Sequence, residues 1–200
     1  MTEIQRPVFF SGENPGMTLY FPGTEQIAAV ASYWQCTDSP MGVGHALVVW
    51  IENPDQPGEP APGSGIWTDN LALAEKLVET LTRHFPEFET IPVSRLKYLP
   101  AVCTHTYDGD SYRVKCQTSA TQITLTWSTP LDRKQILWKN FPTGESAYDL
   151  TTVICPCRAG EIQFKGQAVT GQVSCRQTES GQWSSSAFLA FAETWVGPVA

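Results

Sequence analysis

The stretch CTHTYDGDSYRVKC (Cys103–Cys116) and the QITLTW run that follows it (Gln122–Trp127) decide the fold class. Within the first, Asp108-Gly109 is a strong short hairpin signal, because a two-residue type I′ turn needs positive φ at both central positions. With that pair as the loop, Tyr107 faces Asp110, His105 faces Tyr112, Cys103 faces Val114 and Ala101 faces Cys116. Cys103, His105, Tyr112, Val114 and Cys116 then share one side. Thr104, Thr106, Arg113 and Lys115 form the wet side. A two-residue slip of the turn keeps these faces, whereas a one-residue slip inverts one strand.

The same period of two runs outward along the chain. Ile123, Leu125 and Trp127 alternate with Gln122, Thr124 and Thr126, Ile162 and Phe164 with Glu161, Gln163 and Lys165, and Val173 and Cys175 with Gln172, Ser174 and Arg176. Such strands are buried on one face. Ile27–Trp34, His45–Ile51 and Ala187–Val196 are apolar at both parities, so each needs cover from two sides. One segment breaks the pattern. In WTDNLALAEKLVETLTRHF (Trp67–Phe85), Leu71, Ala74, Val78, Leu81 and Phe85, broadened by Leu77, trace one face of an amphipathic helix over about 69–85. Thr68 or Asp69 is placed to cap it and Pro86 to end it.

Short strands with frequent turn signals and a single helix predict a mainly β chain: one antiparallel β-barrel of calycin-like shape, or a β-sandwich, with the helix packed on it. Closure would give every strand an inside face and leave no exposed edge. Asn53–Gly65 (NPDQPGEPAPGSG), with four prolines and three glycines, reads as a long surface loop within a single 1–200 domain, since the residues before it are too few to fold alone.

Lys and Arg total 13 against 20 Asp and Glu, a net charge of −7, which opposes nucleic acid and anionic membrane surfaces as partners. With no long apolar run and no basic, apolar leader, a soluble cytoplasmic protein is expected. The six cysteines, at 36, 103, 116, 155, 157 and 175, are accordingly expected as free thiols. Cys155 and Cys157 point the same way and Cys175 lies on an apolar face further along, yet small buried hydrophobes describe most free cysteines and a fourth ligand has no source, so no metal and no cofactor is expected. Pro156 between two of them denies the ladder one donor, which predicts an edge strand or a strand end.

Seven tryptophans are many for 200 residues, and Trp127 and Trp138 fall on or near inward positions. They fill a core or line a pocket. His105 projects beside Tyr112, and His45 shares the parity of Leu47, Val49 and Ile51, so two histidines from distant strands can converge. Glu193 shares the parity of Ala187, Leu189, Phe191 and Trp195, and a carboxylate there needs a partner or a raised pKa. No nucleophile elbow, phosphate loop or dinucleotide fingerprint is present. The leading expectation is a lipocalin-like binding protein holding a small apolar or aromatic molecule among Trp127, Trp138, His105, Tyr112, His45 and Glu193. The alternative is an isomerase, hydratase or cyclase type of enzyme with Glu193, His105 and Tyr112 as acid/base candidates. A protein-interaction module without ligand, using the exposed Thr/Gln sheet face or the proline loop, is the third.

Overall fold

The computed structural model describes residues 6–143 and 146–197. Its elements are β1 (Val8–Glu13), β2 (Gly16–Tyr20), β3 (Ile27–Asp38), β4 (Gly44–Ile51), β5 (Gly65–Thr68), α1 (Leu71–Thr80), β6 (Tyr98–Pro100), β7 (Val102–Tyr107), β8 (Ser111–Gln117), β9 (Gln122–Pro130), β10 (Lys134–Thr143), β11 (Ser146–Phe164), β12 (Gln167–Ala168), β13 (Cys175–Gln177), β14 (Trp183–Ser185) and β15 (Ala187–Val196). Three 3₁₀ turns lie between α1 and β6. The chain is thus mainly β, with one short helix.

Thirteen strands form a mixed sheet in the order β6-β5-β4-β3-β1-β15-β11-β9-β8-β7. In it β2 continues the position of β1 between β3 and β15, and β10 and β12 flank β11; β13 and β14 pair separately. Among the described residues every pairing is antiparallel except β5 with β6, where a wholly antiparallel sheet was expected. A parallel pair needs a long crossover, and α1 with its 3₁₀ turns is that crossover. The two ends of the strand order, β6 and β7, are consecutive in the chain and joined through Ala101, whose N–H donates to Thr68 O at 2.8 Å.

Two hydrophobic cores lie on opposite faces of this sheet. The strand-only core takes Ala29, Ala31 and Tyr33 from β3, Leu47 and Val49 from β4, and Tyr112, Leu125, Trp127, Cys157 and Leu189 from the later strands. The helix-side core takes the other parity, Val30 and Trp34 with Ala46, Val48 and Trp50, against Leu73, Ala74, Leu77 and Leu81. The double cover expected for β3 and β4 is present.

The helix is shorter than 69–85 and its cap is different. Asn70 accepts from Leu73 N at 3.1 Å through Oδ1, while Thr68 is held by His45 O (2.7 Å) and Asp69 by His45, so neither is free to cap. Leu71 at the first helical position points to water, 52 % exposed, and Leu73 takes the buried place expected for it. The β7–β8 hairpin is slipped by two residues from the expected register: Tyr107 faces Tyr112, His105 faces Val114 and Cys103 faces Cys116. Asp108 Oδ1 accepts from both Asp110 N (3.0 Å) and Ser111 N (2.8 Å), and this side-chain turn lengthens the loop. The faces are preserved, but the slip brings the two cysteines together as a disulfide. That corrects the expectation of six free thiols: Cys36, Cys155, Cys157 and Cys175 are free. Pro156 also lies inside a central strand rather than at an edge. It sits where β11 changes neighbours, β10 ending opposite Ile154 and β9 beginning opposite Cys157, so the missing N–H falls where the ladder is handed over.

Two outcomes follow from these placements. Thiol titration of the unfolded, unreduced chain is expected to find four groups, rising to six after reduction. Leu73→Ala is expected to cost roughly 2 to 5 kcal/mol in denaturant unfolding, while Leu71→Ala stays within about 0.5 kcal/mol of the parent; equal effects would place the helix face elsewhere.

Candidate functional site

At one end of the strand-only core, side chains from β1, β3, β4, β7 and β8 and the β5–α1 turn meet. Gln35 of β3 pairs with His45 of β4 and with Glu13 of β1. Tyr33, two residues before Gln35, therefore shares its side of the sheet. β5 lies beside β4, with Ala46 opposite Thr68, so the next residue, Asp69, reaches His45. One carboxylate oxygen accepts from the His45 backbone N–H and the other from the ring Nδ1, each at 2.6 Å. Gly44 makes the approach possible, since a Cβ there would lie 2.8 Å from both Asp69 Oδ1 and the Asn70 Cβ.

A carboxylate can only accept, so His45 carries a hydrogen on Nδ1, and the neutral form of the ring presents its lone pair on Nε2. The second histidine is arranged in the opposite sense. Tyr33 is fully buried, and the one acceptor in reach of its hydroxyl among the described residues is His105 Nδ1, at 3.5 Å. Where the buried hydroxyl donates, the neutral His105 ring carries its hydrogen on Nε2. Burial, and then the negative charges of Asp69 and Glu13, push the Tyr33 hydroxyl far above the ordinary tyrosine range and keep its proton in place. The two imidazole centroids are 6.3 Å apart.

Tyr112 stacks on His105 at 5.6 Å and donates to Glu13 Oε2 at 2.6 Å. Burial first, then the bond to Glu13, raises its pKa as well. Tyr107 and Phe191 complete an aromatic rim, 5.5 Å apart, and Arg133 donates to the Tyr107 hydroxyl at 3.3 Å. The rim is wet: the His105 side chain is exposed and His45 partly so. A cleft of about 530 Å³ opens beside His45 and Asp69, lined also by Gln35, Thr37, Val43 and Gly44.

The expected residues therefore divide. His45, His105 and Tyr112 come together. Trp127 lies just beneath, its ring edge-on to Tyr112 at 5.9 Å, but it is fully buried with its indole N–H on Gly16 O at 2.8 Å, a core side chain. Trp138 is 51 % exposed on β10 and packs on Phe141 of the helix-side core. Glu193 is absent from the site because β15 carries an extra residue between Phe191 and Thr194, with Ala192 at φ 49°, so parity changes there. Phe191 packs on the strand-only core and Trp195 belongs to the helix-side core. Glu193 is buried, accepts from the Trp195 indole N–H at 2.6 Å, and is pushed up to about 8 by burial.

Trp127 packs within the strand-only core, and the clefts beside Thr68, Tyr20, Ile66 and Gln35 are not lined by Trp127, Trp138 or Glu193. Among the described residues no three metal-ligating side chains converge. Cys155 and Cys157 are buried, and burial raises both thiols, Cys157 to about 12. No helix of the described residues is long and apolar enough to cross a membrane.

Sequence reasoning missed Asp69, Tyr33 and Glu13. Asp69 reads as a helix cap, and Tyr33 sits in a run apolar at both parities. The usable signal was the parity of Tyr33 with Ala29 and Ala31, which pairing with β4 carries on to His45. Comparison of the chain with known protein families, curated proteins and solved structures finds no match.

Glu193 gives a pH dependence. The unfolded chain loses this proton near 4.5 and the folded chain near 8, so between the two the unfolded state binds fewer protons and stability falls as pH rises. Denaturant unfolding from about pH 5 to about pH 9 is expected to show that decline, and Glu193→Gln is expected to flatten it.

Proposed function

We propose that this chain is an enzyme that moves protons on a small, uncharged, unsaturated or aromatic molecule. His45 is the base and His105 the acid. One observation carries the reading: two imidazole centroids lie 6.3 Å apart, one ring with Nδ1 on the Asp69 carboxylate and the other with Nδ1 facing the Tyr33 hydroxyl, an arrangement that favours opposite tautomers, so that one outer ring nitrogen accepts where the other donates. A base and an acid held at that separation can take a proton from one atom of a bound molecule and deliver one to another, which is isomerisation, hydration–dehydration or cyclisation chemistry. Asp69 and Tyr33 are positioning residues. The Glu13–Tyr112 pair and the rings of Tyr107 and Phe191 form the docking rim.

In this reading the sheet closes on itself at Ala101 into a barrel of calycin-like shape. Support comes from the direct chain link between its two end strands and from a core drawn from β2, β3, β4, β5, β7, β8, β9, β11 and β15. The molecule sits at the mouth and not among the fully buried side chains around Trp127. Glu13 and Asp69 disfavour an anionic substrate, and the rings favour a planar one.

The test is proton exchange. The protein is incubated in deuterium oxide with a panel of cyclic enones, β,γ-unsaturated ketones and phenolic ketones, and deuterium incorporation is read by NMR. The parent chain is expected to speed exchange in at least one of them, His45→Gln to lose about 10² to 10⁴ of that rate, and Asp69→Asn about 10² or more. Glu193→Gln should leave the rate unchanged. Unchanged exchange in His45→Gln overturns the assignment, as does a parent chain that speeds none of the panel.

A further inference from the structure

We propose that the free edge of β10 takes up an acidic, extended segment of a partner protein as an added strand. Among the described residues β11 is the strand partner of β10, and the other edge of β10 makes no backbone hydrogen bond. Over Lys134–Trp138 the register with β11 is unbroken, so this stretch offers a regular row of backbone donors and acceptors; beyond it the strand bulges, with Asn140 at φ 57°. An open row of this kind is a template for pairing with another chain, and the bulge and Pro142 beyond it confine that template to these five residues.

Leu137 is 64 % and Trp138 51 % exposed. As neighbours on a strand they project to opposite faces, so an added strand would find an apolar side chain on each. That is the arrangement of strand-addition recognition, in which backbone bonds supply affinity and alternate side-chain contacts supply selectivity.

Charge selects the occupant. Lys134 lies within this stretch and Arg133 and Lys139 border it, and residues 133–143 hold no carboxylate, in a chain of net charge −7. Among the described residues two carboxylates that border the strip are engaged: Asp149 pairs with Arg6 and accepts from Asn140 N at 2.9 Å, and Asp132 accepts from Trp183 N at 3.4 Å. Lys134 is held by the neutral Gln182 side chain at 2.7 Å. The edge is therefore a cationic strip on an anionic molecule. A second copy of the chain would bring the same cations to it, together with a like net charge, whereas an acidic strand matches it.

The test uses the intact protein and two fluorescein-labelled peptides of about ten residues, one alternating valine with glutamate and the other alternating valine with lysine. Anisotropy is expected to show saturable binding of the glutamate peptide, at least about tenfold tighter than the lysine peptide and weakening as salt rises. Lys134→Glu with Lys139→Glu is expected to reverse the preference, and Trp138→Ala to weaken binding severalfold. These side chains are exposed or partly so, and circular dichroism checks each variant; Lys139→Glu alone serves if the double variant does not fold. Equal binding of the two peptides, or none of either, overturns the proposal. So does a dimer in light scattering that Leu137→Asp abolishes, which would assign the edge to a second copy.

Discussion

Because β3 and β4 carry apolar side chains at both odd and even positions, neither face of the sheet at this point can be left to water. Ala29, Ala31, Tyr33, Leu47 and Val49 are covered by the later strands, and Val30, Trp34, Ala46, Val48 and Trp50 by α1. Each of the larger side chains gains about 1.5 to 3 kcal/mol by leaving water, so an uncovered face would not be stable. Covering the even face obliges the chain to leave the sheet after β5, cross it, and return beside β5 in the parallel strand β6. From there one residue, Ala101, leads into β7. The packing demand of two central strands thus delivers His105 to the end of the sheet where His45 already stands.

What happens at that end is decided by hydrogen-bonding capacity. Asp69 and Glu193 are both carboxyls near the sheet, yet they are handled differently. Asp69 is partly solvated and accepts from a backbone N–H and an imidazole, so its charge is used to orient His45. Glu193 has the Trp195 indole as a donor but little solvent, and burial outweighs that bond. One acts on its neighbour through its charge; the other meets its surroundings most cheaply as a neutral acid. The tyrosines obey the same rule: buried and facing carboxylates, Tyr33 and Tyr112 keep their protons and serve as donors.

Much of the strand pattern was legible in the sequence, since a period of two reports directly which face is buried. The alternation through Ile123, Leu125 and Trp127, the faces of the β7–β8 hairpin and the double cover of β3 and β4 all appear as expected. Register was less legible. Asp108 shifts the hairpin by two residues through a side-chain turn, with no change in the hydrophobic pattern to announce it, and that shift puts Cys103 opposite Cys116. At the site, His45, His105 and Tyr112 could be found because each shares parity with apolar neighbours. Asp69 could not be assigned to His45, because the contact depends on β5 pairing with β4 across the long proline loop, and pairing over that distance leaves no local signature.

Local irregularities then decide which polar groups share a space. Since successive strand residues face opposite ways, one extra residue in β15 moves Glu193 and Trp195 from the face of Leu189 and Phe191 to the helix side. Without that bulge Glu193 would keep the parity of Leu189 and Phe191 and project to the face that carries Tyr33 and Tyr112. The bulge instead leaves Phe191 facing Tyr107 and Tyr112, where it closes the aromatic rim. The same extra residue therefore separates a buried acid from the two histidines and supplies the aromatic rim with an apolar wall, so the make-up of the candidate site depends on a bulge in a strand that contributes no titratable group to it.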